Sequence, residues 1–209
     1  MAAAVIATGV LYGFLPEDFR ITAQSRYIYP VFLVAFLVVL VIGDPGRIDR
    51  ERRWLRVTTE LMIGLITVVN AVSAVRLIIG ILTRASFTDA SELLTIGAIV
   101  WTTNVIAFSL WFWDLDAGGA AVRASGSNRV PPAFVFPEMS VPHLVPQGWY
   151  PQFADYLALS FNTAMAFSPT DVSAIRRWAK LMMSSESAIS LVLAALVVAR
   201  AINILPSSN

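Results

Sequence analysis

Two carboxylates set in apolar surroundings are the residues of this sequence best suited to chemistry. Asp171 closes the turn Ser168-Pro169-Thr170-Asp171, which ends the apolar run at 152–167. Glu186 stands among Ser184, Ser185, Ser187 and Ser190, near the start of a long apolar stretch. An ionisable side chain inside a membrane span is a functional candidate by default. Non-helical backbone at membrane depth is tolerated only where protein buries it or water reaches it, which is how pores and transporter sites are built. On that reading residues 163–171 form a constriction whose walls include Thr163, Ala166, Phe167 and Pro169. Ser168 and Thr170 offer hydroxyls to a cation, and Asp171 a carboxylate that attracts it. Glu186 and Ser190 brace or line the path. A plainer reading stands beside this one: Ser, Pro, Thr and Asp are ordinary turn and N-cap residues, and the run before them is just long enough to cross.

Other polar residues interrupt the apolar runs. Arg76 shares a helical face with Asn70 and Ser73. It reads as support for the path, as a structural pair with Glu186 or Asp155, or as a side chain snorkelling to the nearer interface. Asn104, beside Thr102 and Thr103, reads as glue between helices. His143 lies in a Pro-rich stretch and reads as a surface residue.

Composition excludes much else. Of 209 residues, 57% are hydrophobic and 14% charged, with a mean hydropathy of +0.70, whereas an ordinary soluble domain carries ~25% charged residues. Such a chain cannot cover itself with a solvated surface, and its apolar residues cluster into runs of membrane-spanning length. There is no cysteine, so disulfides, thiolate metal sites and thiol catalysis are ruled out. One histidine precludes an all-histidine metal site within one chain. A net charge of +1 gives no reason to expect a nucleic-acid partner. With no paired carboxylate motif either, an enzyme is the least expected class. No cofactor is expected, and no metal beyond a transported cation.

The elements that position these residues are helical. The expected fold is an all-α, polytopic membrane bundle with a re-entrant, pore-type half-helix before the last transmembrane helix. Apolar segments lie at 2–15, 27–43, 57–82, 93–113 and 181–205. The first is short for a span and has no basic residue beside Met1, so it reads as a first helix rather than a removed signal. The chain divides into a four-helix region at 1–113, a Pro- and Gly-rich connector at 114–151 and a pore-like module at 152–209. The connector carries Phe134, Phe136, Trp149 and Tyr150, which call for a packing partner. Arg47, Arg50, Arg52, Arg53 and Arg56 mark the linker between the second and third segments as cytoplasmic. If 152–167 dips in and returns, ten basic residues lie on that side and four on the other; if it crosses, the split is eight and six, with Arg76 left out of both. The charge rule therefore favours the re-entrant version, entered from the cytoplasmic side.

The stretch from Tyr156 to Ile204 resembles the pore module of tetrameric potassium channels, which has a pore helix, a T-V-G-Y-G-D filter and an inner helix. Ser160, Phe161 and Thr163 match its pore helix, Asp171 the aspartate after the filter, and Glu186 a glutamate carried by many inner helices. The filter itself departs from the pattern. Ala166-Phe167-Ser168-Pro169-Thr170 has neither glycine, and Pro169 fixes its own φ and restricts Ser168, so potassium selectivity does not carry over. The whole chain is also similar to a group of bacterial integral membrane proteins, through Asp44 to Asp49 (Asp-Pro-x-Arg-Ile-Asp), Trp101 to Ile106 (Trp-x-Thr-Asn-Val-Ile) and Ala166 to Asp171. That likeness implies the bacterial inner (plasma) membrane and no particular activity. Together the resemblances imply a channel-like protein for monovalent cations, assembled in the bilayer as a homotetramer around its last helix. The alternatives are a non-conducting scaffold or sensor with a degenerate pore module, favoured by the missing glycines, and a small transporter.

Overall fold

The computed structural model describes residues 1–43, 53–83, 87, 89–124, 130–141, 143–165 and 171–204. The basic linker at 44–52 and the filter-like residues Ala166, Phe167, Ser168, Pro169 and Thr170 lie outside the described residues. The fold is an all-α bundle: α1 (Ala2–Phe14), α2 (Ser25–Gly43), α3 (Arg53–Leu82), α4 (Ala90–Leu115), α5 (Ala120–Ala124), α6 (Phe153–Met165) and α7 (Arg177–Ile204). Two two-residue strands, β1 (Phe134–Val135) and β2 (Ser173–Ala174), pair antiparallel. Helices α2, α3, α4 and α7 are each long and apolar enough to cross a membrane. With 13 residues, α1 spans only ~20 Å, short of a ~30 Å hydrocarbon core.

Helices α3, α4 and α7 are longer than the apolar runs that signal them. Helix α3 begins at Arg53, α7 at Arg177, and α4 continues through Asp114. Arg53 and Arg177 are exposed in the terminal turns they extend, whereas Asp114 is buried.

Helix α4 is the centre of the bundle and packs against α1, α3, α6 and α7. Its buried residues include Leu93, Ile96, Val100, Asn104, Ala107, Leu110 and Phe112, which together face more than one neighbour. Helix α2 is the opposite case. It buries only Tyr29 and Leu33 and exposes Val31, Phe32, Val34, Val38, Val41 and Ile42. An apolar face of that extent is stable against lipid rather than water. Helix α7 is two-faced: Glu186, Ser190, Leu193, Val197 and Ala201 point inward at i, i+3 and i+4 spacing, and Leu191, Val192, Val198 and Ile202 point outward.

Side-chain contacts fix how the helices run. Ser190 of α7 meets Asn104 of α4, and Val197 meets Gly97, so α7 is antiparallel to α4. Helix α6 starts beside the end of α4, where the Phe153 and Trp113 rings lie 6.2 Å apart. It runs back along α4 until Phe161 reaches the Trp101 ring at 5.7 Å. Trp178 in the first turn of α7 sits against Phe134, 6.0 Å between rings, at that same end. Both α6 and α7 therefore start where the connector lies. At the other end of the bundle, Phe19 before α2 stacks on Phe87 before α4 at 5.8 Å.

Between lipid-immersed helices there is little hydrophobic driving force, so close backbone approach and hydrogen bonds hold them together. At Gly97 a Cβ would lie 2.8 Å and 2.9 Å from the two Val197 methyls. Valine is stiff at χ1 in a helix and cannot swing them away. Gly97→Ala should therefore destabilise the bundle by about 1–3 kcal/mol, read by unfolding in mixed detergent micelles. Adding Val197→Ala should recover most of that loss; no recovery would place the cost elsewhere.

Candidate functional site

The polar residues inside the bundle divide into two kinds. The Ser73, Thr103 and Thr163 hydroxyls donate to carbonyls of their own helices, at Val69, Ile99 and Leu159, at distances of 2.8–3.1 Å. This is how a hydroxyl is satisfied in apolar surroundings without a neighbour. A second group bonds between helices. Thr67 Oγ1 does both, donating to the Ile63 carbonyl of its own helix at 2.8 Å and accepting from Trp111 Nε1 of α4 at 2.9 Å. Asn70 Nδ2 of α3 donates to Asn104 Oδ1 of α4 at 3.4 Å, and Asn104 Nδ2 donates to Ser190 Oγ of α7 at 3.2 Å. One turn away, Ser160 Oγ of α6 bonds the Val105 carbonyl of α4 at 2.7 Å and Glu186 Oε1 of α7. Ser187 Oγ donates to the Thr163 carbonyl at 2.8 Å. That last bond satisfies a C-terminal carbonyl of α6, a group left without a partner in every helix end.

Glu186 is completely buried, and its Oε2 has no hydrogen-bond partner. It lies level with Val105, near the middle of α4. Of the residues singled out from sequence, the structure brings together Thr163, Glu186 and Ser190, and Asn104 joins them as interhelical glue. Asp171 is exposed, six residues before α7 begins at Arg177. The filter-like residues 166–170 join α6 to Asp171 and are outside the described residues.

Arg76 is not part of this group, and the expected pairing with Glu186 or Asp155 is not what the structure holds. Its guanidinium donates to the carbonyls of Asp18, Arg20 and Ile21, between α1 and α2. Asp155 is engaged at the start of α6, where its carboxylate accepts from Gln152 N at 2.7 Å. A backbone carbonyl leaves no trace in the pattern of charged residues, so sequence reasoning looked for a carboxylate instead.

A second polar cluster closes the connector end, and it was not anticipated. Asp116 follows α4 directly and is fully buried. Its Oδ1 accepts from Ala133 N at 2.6 Å and Phe134 N at 3.4 Å, and its Oδ2 accepts from Tyr156 Oη at 2.5 Å. Arg123 of α5 donates to the carbonyls of Asp116 at 2.5 Å and Trp113 at 2.7 Å, and lies 5.0 Å from the centre of the Tyr156 ring. Burial lowers the pKa of this guanidinium from its ordinary value, and nearby Tyr156 and Asp116 act against the shift. The turn needs left-handed backbone at Ala117, Gly118 and Gly119, with φ of 49°, 83° and 99°. The Asp-x-Gly-Gly string at 116–119 is the sequence signal that could have located it. The connector aromatics pack here: Phe134 and Phe136 are buried with Phe112 and Tyr156, and Trp149 packs against them.

Among the described residues no three His, Cys, Asp or Glu side chains group closely enough to hold a metal ion. No family model matches the chain, and neither a curated protein nor a solved structure matches it. The functional reading accordingly rests on the geometry of the chain itself.

The Asp116 cluster has a measurable consequence. Asp116→Ala strands two buried backbone N–H groups and the Tyr156 hydroxyl, which should cost about 2–4 kcal/mol; Tyr156→Phe should cost about 1–3 kcal/mol. Thermal unfolding in detergent checks both. Equal, near-zero losses would contradict the clamp.

Proposed function

We propose that the protein is a cation channel or channel-like protein of the bilayer, a homotetramer around α7, with its constriction at residues 163–171. The observation that carries this reading is the path of α6. It starts at the connector end, and its 13 residues cover ~20 Å, less than a full crossing. Its last turn is tied to α7 through Thr163 and Ser187, and β2 then pairs with β1 at the connector end again. This supports a re-entrant half-helix whose tip lies inside the membrane. Such a tip is stable only if protein or water satisfies its polar groups. In the tetramer, four copies of the 166–171 segment would surround one axis. Ser168 and Thr170 would present hydroxyls and Asp171 a ring of carboxylates to a monovalent cation, with Glu186 and Ser190 bracing the half-helix from behind.

The outward face of α7 supports the assembly. Ser184, Ala188, Ala195 and Ala199 are exposed there, on the side opposite Glu186. Small residues at four-residue spacing let helices of neighbouring subunits approach closely. Likeness to the potassium-channel pore module supports the same arrangement through Ser160, Phe161, Thr163, Asp171 and Glu186. The absence of both filter glycines favours a second reading, a scaffold or sensor that keeps the assembly and does not conduct.

Native mass spectrometry of the detergent-purified protein, followed by cation flux in liposomes, tests the proposal. The expected result is a tetramer that conducts, with Asp171→Asn lowering cation conductance severalfold at low ionic strength. A monomer or dimer would leave Asp171 no ring to form. A tetramer without flux, unchanged by Asp171→Asn, would select the scaffold.

A further inference from the structure

Inside the protomer a line of buried polar groups ends at Ser190, one helical turn from Glu186. At the end opposite the connector, Tyr12 Oη bonds Ser25 Oγ at 2.7 Å and accepts from Ile21 N at 2.9 Å. Deeper lies a small cavity between α1, α2, α3 and α4, lined by Thr8, Tyr12, Tyr29, Asn70, Ser73 and Thr103 among others, with room for about one water molecule. The buried Tyr29 hydroxyl stands on its wall beside Thr8. From Asn70 the line continues through Asn104 to Ser190. Glu186 stands one helical turn from Ser190 on the same face.

The hydrogen count at Glu186 sets its chemistry. Ser160 Oγ bonds two oxygens, the Val105 carbonyl and Glu186 Oε1. A carbonyl can only accept, and a hydroxyl has one hydrogen to give. Both bonds form together when the Glu186 carboxyl supplies the second hydrogen. Among the described residues no salt bridge is formed by Glu186, and its hydrogen-bond partner is Ser160 of α6, which also bonds the Val105 carbonyl of α4. Along α7 its nearest inward-facing polar neighbour is Ser190. The charged residues of the elements around it sit toward helix ends: Glu92 and Asp114 on α4, Asp155 on α6, Arg177, Lys180 and Arg200 on α7, and Arg53, Arg56, Glu60 and Arg76 on α3.

We infer that Glu186 is a proton-binding site within the protomer, its carboxyl held as the neutral acid against Ser160, whose hydroxyl is committed to the Val105 carbonyl. The ligand is a proton: the carboxylate takes it from a water-borne hydronium, leaving a carboxylic acid and a water molecule. The site needs no second subunit, so it stands whether or not the chain assembles as a tetramer.

Infrared difference spectroscopy of the purified full chain in lipid nanodiscs, stepped in pH and in deuterated buffer, tests this. The expected result is a protonated-carboxyl C=O stretching band that shifts in deuterated buffer and is lost in Glu186→Gln. Should that variant fail to fold, Ser160→Ala decides, because it leaves the carboxyl and removes its hydrogen-bond partner. A shift of the band to higher frequency supports the site, and an unmoved band overturns it. No such band at any pH in the unaltered protein also overturns it.

Discussion

A polar group buried between lipid-immersed helices has no water to turn to, and its partner must be supplied by the protein. In this bundle that constraint is met in one layer near the middle of α4. The Asn104 side chain joins α3 to α7, and the Val105 carbonyl receives α6 through Ser160, which in turn bonds Glu186 of α7. Four helices are thereby registered against one another within a single turn. Interhelical bonds of this kind contribute only ~0.6–2 kcal/mol each. Their larger effect is on geometry, since sliding any one helix strands several buried groups together. The depth of α6 follows from this layer. Its tip is held where Thr163 meets Ser187, and its base is held by Asp116 and Tyr156.

The two ends of the bundle are closed by different means. At the connector end Asp116 accepts from the Ala133 and Phe134 amides at the start of β1 and from a tyrosine, and Arg123 covers the cluster. At the opposite end, cations bind carbonyls: Arg76 reaches the turn between α1 and α2, and Arg20 donates to the Gly13 carbonyl in the last turn of α1 at 3.3 Å. Helix α2 enters into neither closure and packs at the edge. Helices α4, α6 and α7 pack on one another away from that edge.

Much of this architecture was legible from residue order. The long apolar runs carry their own length signal, so α2, α3, α4 and α7 were visible, and the run before Ser168 was visibly only just long enough to cross. Glu186 and Asn104 were conspicuous because a carboxyl or an amide in an apolar run demands a partner. What stayed hidden were the partners themselves. Asp116 reaches across 17 residues to Ala133 and 40 to Tyr156, and nothing local advertises contacts at that range. Gly97 reads as a neutral glycine until Val197 is seen beside it. Arg76 misleads for the reason already given, since its carbonyl partners have no sequence signature.

The account depends on α6 ending inside the membrane with both of its flanks on one side. Spin labels placed one at a time at Phe153, Met165 and Ser173, in otherwise unaltered protein reconstituted in lipid, measure depth through collision with oxygen and with a water-soluble relaxer. Met165 is 45% exposed on the outside of the bundle and accepts a label without repacking. The account predicts Phe153 and Ser173 near one interface and Met165 well within the hydrocarbon. Met165 at the opposite water interface would make α6 a crossing helix and contradict it.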